Sequence, residues 1–449
     1  MRKVIYWDAC DPFLIGPYRP LKKQNVPFVV PVEPHRGFRF GRLISGGQWN
    51  RDWPAMDRIV ALPIAEQPAA DAVQRSEDGV LYFEEEGRKP VPICAKGIDG
   101  SIHWSVHPLE WISGLLNEEY VIKWTRPIAS RIPFFNYSHL PHSLKGTLQR
   151  VLSAAAGDRR NSISFPALPI DNLVEDIRKV CAWLSSGSDV SPEGVWPNNC
   201  VAAMTLTHDV DTNWIFERKR WALLREIVDV ETSLGYKGAW YIVGDQLHMA
   251  RDAEAVGYIT DGGHEIGSHG WTHDSKLNYL RVTRQERQMR KITRCLAGVN
   301  LRGMRTPWYS RSPQLSRVMS GYFRYDSSIP NSSAIFSGGS NSGSCTIFPY
   351  RLVNGLLELP MTLPPDSFSD FEDGYNLLRR ITSELIDKGG VVVVVFHPQP
   401  HQSACPEGLR HYFRFLRNVA EAYREKVWRA TPAEIIEHYR RTMGTIAPD

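Results

Sequence analysis

Two short stretches in the second half of the chain hold the residue types that metal-assisted hydrolysis requires. Thr207-His-Asp-Val-Asp211 supplies carboxylates at Asp209 and Asp211, and Ser268-His-Gly-Trp-Thr-His273 supplies imidazoles at His269 and His273. One carboxylate with two neutral imidazoles leaves positions open for water and substrate, as a catalytic metal site needs and a structural one does not. The second carboxylate is then a spare base. Side chains alternate along a strand, so Asp209 and Asp211 can point to the same side, and the residues alone leave open which of them ligates. His269 and His273 are one turn apart and share a face if their segment is helical.

Each stretch follows an apolar run with strand character, Ala202 to Leu206 and Glu265 to Gly267. Residues at the ends of such strands converge on one mouth of an α/β sheet or barrel. From residue 200 onward the pattern alternates. Strands are expected at 202–206, 238–243, near 265, around 301–304, near 322 and 356, and at 391–396. Helices are expected over 220–234, before Gly257, over 282–296, from Pro313, over 375–387 and over 409–422. That alternation predicts a parallel sheet, and the number of repeats suits a barrel more than an open sheet.

Ser185 to Asn199 is a polar, Pro/Gly/Ser-rich connector, so we divide the chain into an N-terminal accessory domain, 1–190, and a catalytic domain, 200–440. Before the connector, Leu173, Ile177, Val180 and Leu184 recur at helical spacing, and the earlier part mixes strand-like pieces with Pro-rich loops, an α+β pattern without a catalytic motif. The stretch 331–344, rich in Gly, Ser and Asn, has the length and composition of a binding loop or lid.

The 449 residues suffice for two or three domains with a large core, and the net charge of +4, with both signs interspersed, gives no reason to expect a nucleic-acid partner. Seven scattered cysteines without a Cys-x-x-Cys pair read as reduced thiols. The N-terminus lacks the apolar stretch of a signal peptide, and no run approaches 18 apolar residues, so the expected location is cytoplasmic, with contact to a membrane-linked substrate still possible. Fourteen tryptophans are many for this length, and some could form a sugar platform.

Three further motifs follow in order at strand ends: Arg305-Thr-Pro-Trp308, Leu357-Glu-Leu-Pro360 and Phe396-His-Pro398. The whole set, over roughly residues 200–440, resembles the polysaccharide deacetylases of carbohydrate esterase family 4, the NodB-homology domain. The Asp-x-Asp spacing of the first motif resembles a divergent branch of that family. The resemblance implies a distorted (β/α) barrel. It implies that Asp211, His269 and His273 hold a divalent metal, usually Zn²⁺, and that Asp209 is the general base, oriented by Arg305. It further implies that His397 is the general acid, that the Trp308 backbone N–H meets the oxyanion and that Leu359 lines the acetyl pocket. An aspartate steadies the histidine in this family, and Asp326 in Tyr-Asp-Ser-Ser is the candidate.

The expected activity is hydrolysis of the acetamide of an N-acetylated sugar, nucleotide-linked, lipid-linked or small. A metal would polarise the carbonyl, Asp209 would take a proton as water attacks, and a protonated His397 would make the amine a viable leaving group. The alternatives are a carbon–nitrogen hydrolase of a cyclic amide or ureide, which the Asp-x-Asp branch also contains, and an inactive carbohydrate-binding or scaffold protein. The presence of base, ligands, arginine and acid together speaks against the last.

Overall fold

The computed structural model describes residues 2–18, 26–32, 37–45, 58–63, 79–97, 99–121, 144, 170–186, 192, 194–274, 276–332, 342–366, 368 and 370–444. Two sheets organise the described residues. The first has seven strands, β1 (Arg2–Ile5), β2 (Phe28–Pro31), β3 (Phe38–Ser45), β4 (Arg58–Pro63), β5 (Gly79–Glu84), β6 (Val91–Lys96) and β7 (Ile102–Trp104), in the order β1-β2-β7-β6-β5-β3-β4. Its pairings are antiparallel except β2 with β7. The helix Pro108–Leu116 covers it, and Trp111 Nε1 donates to the Ala61 carbonyl at 2.7 Å. The expected α+β N-terminal part is therefore a mixed sheet with helical cover.

The second sheet contains β8 (Ala202–Val210), β9 (Gly238–Ile242), β10 (Glu265–Ser268), β11 (Gly303–Met304), β12 (Tyr325–Asp326), β13 (Tyr350–Arg351), β14 (Leu357–Glu358), β15 (Val391–Phe396) and β16 (Val427–Arg429). They run β13-β14-β12-β11-β10-β9-β8-β15, with β16 beside the start of β8. All pairings are parallel except β13 with β14. Helices follow the strands much as the periodicity predicts. Gly257, however, lies inside the helix Met249–Asp261, because one glycine does not end a helix whose remaining residues propagate it. The strand β16 and the last helix, Pro432–Gly444, were not anticipated.

The sheet curls but its end strands are not joined by a backbone ladder among the described residues. Individual groups close the seam along β15: Val391 N–H donates to the Ile347 carbonyl at 2.9 Å, and Thr362 Oγ1 accepts from Val393 N–H at 2.9 Å while donating to the Val391 carbonyl at 2.8 Å. At the C-terminal end of the same edge, His397 N–H donates to Asp366 Oδ2 at 2.8 Å. Isolated acceptors thus satisfy an edge that would otherwise expose buried donors.

Strand alternation sorts side chains between the inside of the curl and its outer face. Thr207, Asp209, Tyr241, Tyr325 and Ser327 meet inside, whereas His208 and Trp240 face outward, stacked at 4.2 Å, with His208 Nε2 2.9 Å from Glu231 on the helix Trp221–Ser233. Two interior tyrosines lie across glycines of neighbouring strands. A Cβ at Gly303 would sit 1.9 Å from the Tyr325 ring, and one at Gly267 would sit 2.3 Å from Tyr241. The absence of a side chain at those two positions makes room for the rings.

Candidate metal and hydrolytic site

The site lies where the C-terminal ends of β8, β10, β11 and β15 open. On β8 and just beyond it, Thr207, Asp209 and Asp211 follow one another at a spacing of two and are buried. His269 and His273 come from the loop after β10. That loop is a succession of bends rather than a helix, reversed at Gly270 (φ +81°), so the two imidazoles converge through the turn and not through a helical face.

Asp211 Oδ1 lies 3.4 Å from His269 Nε2 and 3.1 Å from His273 Nε2, and one ligand atom from each of the three residues falls within 4.8 Å of the others. The imidazole rings are 5.2 Å apart. His269 Nδ1 is 2.8 Å from the Arg305 carbonyl, a contact that places its proton on Nδ1 and turns the Nε2 lone pair toward Asp211. Asp211 Oδ1 is buried without a hydrogen bond. A buried acceptor facing two acceptor nitrogens is the donor set a divalent cation fits.

Arg305, fully buried, organises the neighbouring carboxylate. Its Nη1 donates to Asp209 Oδ1 at 3.0 Å and to Thr207 Oγ1 at 2.7 Å, its Nε to the Ser327 carbonyl at 2.8 Å and its Nη2 to Ser327 Oγ at 2.9 Å. The guanidinium also lies 4.8 Å from the Tyr241 ring centroid. Burial alone would raise the Asp209 carboxyl; Arg305, with a further contribution from His397, reverses this and holds it below the usual carboxylate value.

The other Asp209 oxygen, Oδ2, faces His397 Nε2 at 3.9 Å. His397 Nδ1 is 2.5 Å from Asp366 Oδ1. Burial would lower this imidazole, but Asp366, then Asp211 and Asp209, raise it from 6.5 to about 9, so it carries a proton at neutral pH. A carboxylate and an imidazole therefore face each other across a short gap beside the Asp211–His269–His273 triad.

The aspartate paired with His397 is Asp366, and the expectation for Asp326 is corrected. Asp326 lies between Tyr325 and Ser327, both of which face the interior, so its own side chain is turned to the outer face. There Ser327 N–H and Ser328 Oγ donate to it, and it pairs with the carboxyl of Glu358, its direct neighbour across β12 and β14. Burial raises both carboxyls of that pair.

Trp308 and Tyr309 form a turn with consecutive left-handed backbone angles, φ 57° and 49°, and the Trp308 ring lies 5.8 Å from that of His273. Leu359 is fully buried in the main core, its carbonyl accepting from Ser327 Oγ at 2.9 Å. Sequence reasoning missed Asp366, Thr207, Ser327 and Tyr309. Thr207 was readable, since it lies two residues before Asp209 on the same strand face. Tyr309 packs with Met361 and Val395 in a small apolar cluster, and burial, with Asp209 next, raises its hydroxyl well above the usual range. The flanks of the expected lid loop, Asn331, Ser332, Ser342 and Ser344, are buried, while its residues 333–341 lie outside the described residues.

No curated protein matches the sequence. Among solved structures, similar chains include one described as a polysaccharide deacetylase from Mycobacterium smegmatis, with 21% identity over 56% of this chain and 94% of that one at a TM-score of 0.45. Another, described as a polysaccharide deacetylase from Pseudomonas aeruginosa PAO1, shows 16% identity over 58% and 96% at 0.43. PuuE allantoinase shows 17% identity over 56% and 94% at 0.43. The model of the polysaccharide deacetylase family matches residues 204–321, which include Asp209, Asp211, His269, His273, Arg305 and Trp308.

Proposed function

We propose that this protein is a metal-dependent N-deacetylase that hydrolyses the acetamide of an N-acetylated sugar to acetate and a free amine. The observation that carries the reading is Asp209, paired with Arg305 at 3.0 Å and facing His397 Nε2 across 3.9 Å, directly beside the Asp211–His269–His273 triad.

Asp211, His269 and His273 would hold a divalent ion, Zn²⁺ in our reading, which when bound would supply Lewis-acid polarisation of the amide carbonyl. Asp209 removes a proton from the water that attacks the carbonyl carbon. Arg305 keeps that carboxylate ionised and correctly turned. The Trp308 backbone N–H offers a hydrogen bond to the developing oxyanion, and Leu359 packs against the acetyl methyl group. His397 delivers its proton from Nε2 to the amide nitrogen as the C–N bond breaks, while Asp366 on Nδ1 stabilises the imidazolium. The steadying role given to Asp326 by sequence passes to Asp366.

Among the described residues no helix is long and apolar enough to cross a membrane. No disulfide joins the seven cysteines. Their reduced state fits a cytoplasmic location, and we assign the substrate to nucleotide-linked, lipid-linked or small acetamido sugars. The test is acetate release by metal-loaded protein from a panel of those sugars, with Asp209→Asn as control. Release that disappears in the variant supports the reading. Absence of release from every member at full metal occupancy refutes it.

A further inference from the structure

The turn that carries Trp308 is held from outside the deacetylase region. Trp308 and Tyr309 both adopt left-handed backbone angles, which side-chain-bearing residues keep only when their surroundings impose them. The Tyr309 carbonyl accepts from Arg311 Nη1 at 3.1 Å. Arg311 in turn makes a two-pronged ion pair with Glu118, Nε to Oε2 and Nη2 to Oε1, both at 2.7 Å, and its Nη2 also reaches the Ser342 carbonyl at 3.2 Å and Ser342 Oγ at 3.0 Å. Glu118 is buried.

Glu118 occupies an unusual place of its own. It follows Asn117 at the end of the helix Pro108–Leu116 with φ 55°, the left-handed position after a helix where glycine is the ordinary residue. A glutamate there carries backbone strain that a glycine would not. What it gains is a buried, planar, charge-assisted pair with an arginine some 190 positions away in sequence. Two residues on, Tyr120 OH donates to the Gly343 carbonyl at 2.6 Å and accepts from Gly343 N–H at 2.8 Å. One helix end of the N-terminal part thus grips two loops at the mouth of the second sheet.

We infer that Glu118 is a positioning residue: through Arg311 it sets the Trp308–Tyr309 turn, making the N-terminal part a working component of the hydrolytic site. The inference rests on the deacetylase reading for its kinetic consequence. The geometry of the clamp stands on the contacts above.

The test uses the full-length, metal-loaded protein and the variant Glu118→Gln, which keeps the shape and one acceptor but removes the charge. Two readouts are taken: kcat and KM for acetate release, and amide hydrogen exchange over residues 306–311 and 266–274. A displaced turn lowers kcat by about 10- to 100-fold with KM within about twofold, since sub-ångström misplacement of a catalytic group acts on the barrier. Exchange rises at 306–311 and stays unchanged at 266–274, and metal content is retained. Unchanged kcat, or unchanged exchange at 306–311, overturns the inference. If the wild type releases no acetate from any sugar, the deacetylase reading fails and the exchange measurement alone decides the clamp. Should Glu118→Gln fail to fold, Arg311→Lys, which keeps the charge and loses the fork, is judged by the same two readouts.

Discussion

Replacing Asp366 with Asn isolates the proton-donating role assigned to His397. Against the opposing effect of burial, the Asp366 carboxylate is the largest favourable influence holding the imidazole at about 9 instead of 6.5, and the group is buried, so solvent screening is slight. The difference corresponds to about 3 kcal/mol of preferential stabilisation of the imidazolium at about 1.36 kcal/mol per pH unit. A general acid must be protonated to act, so activity falls as pH rises through its pKa. In the Asp366→Asn variant the imidazole loses its largest favourable partner while burial still opposes the charge, so the alkaline limb moves well below 9. A limb displaced to the free-imidazole value of about 6.5 lowers the protonated fraction at pH 8 from about 0.9 to about 0.03, roughly 30-fold in kcat/KM, and costs under about twofold at pH 6; a limb displaced further costs more at both. The assay is initial-rate acetate release from the best acetamido sugar between pH 5.5 and 9.5, for both proteins at full metal occupancy. A loss equal at pH 6 and pH 8, or an alkaline limb that does not move, refutes the assignment of His397 as the acid.

Four other outcomes follow from the same geometry. Asp211→Asn leaves the fold intact by circular dichroism and lowers bound metal from about one equivalent to a small fraction, measured by elemental analysis. Arg305→Leu leaves Asp209 buried without its partner and destabilises the protein by about 3–5 kcal/mol in urea unfolding, with activity abolished. Gly303→Ala places a methyl group within the Tyr325 ring and costs about 3 kcal/mol or more; the double variant with Tyr325→Leu recovers part of that loss, and no recovery would show that the ring is not the obstacle. The stability that His397 gains from Asp366 is fully present below pH 6.5 and is lost as pH rises through about 9, so the difference in melting temperature between wild type and Asp366→Asn shrinks from pH 6 to pH 10.

The site was legible in sequence to the extent that its members are tied to strand ends. Asp209, Asp211, Arg305 and His397 each sit at the end of a run whose apolar pattern marks it as a strand, and strand ends in a parallel sheet converge. Asp366 was not legible, because it follows β14 through the irregular stretch Pro360 to Pro365 and meets His397 only where the two ends of the curl come together. Asp326 looked suitable by composition, yet the alternation of Tyr325, Asp326 and Ser327 turns it away, a rule applied to Asp209 and Asp211 but not to it. The histidine pair was legible as a pair, while the helical face on which it could have lain is replaced by a turn at Gly270. Nothing in the local pattern around Glu118 announces its partner, since an ion pair spanning nearly two hundred residues has no periodic signature.

The seam along β15 gives Asp366 two duties at once. Its Oδ2 takes the last edge N–H of the strand and its Oδ1 takes the imidazole, so the contact that raises the His397 imidazole depends on the two ends of the sheet staying shut at that point. Thr362 is the neighbouring rivet, one hydroxyl in place of a ladder. Loosening it reaches His397 from a distance: as the edges part, the imidazole loses its nearest counter-charge and its pKa falls. Barrel closure and acid strength are in this sense one variable, and the alkaline limb of the pH profile doubles as a gauge of how firmly the sheet is sealed.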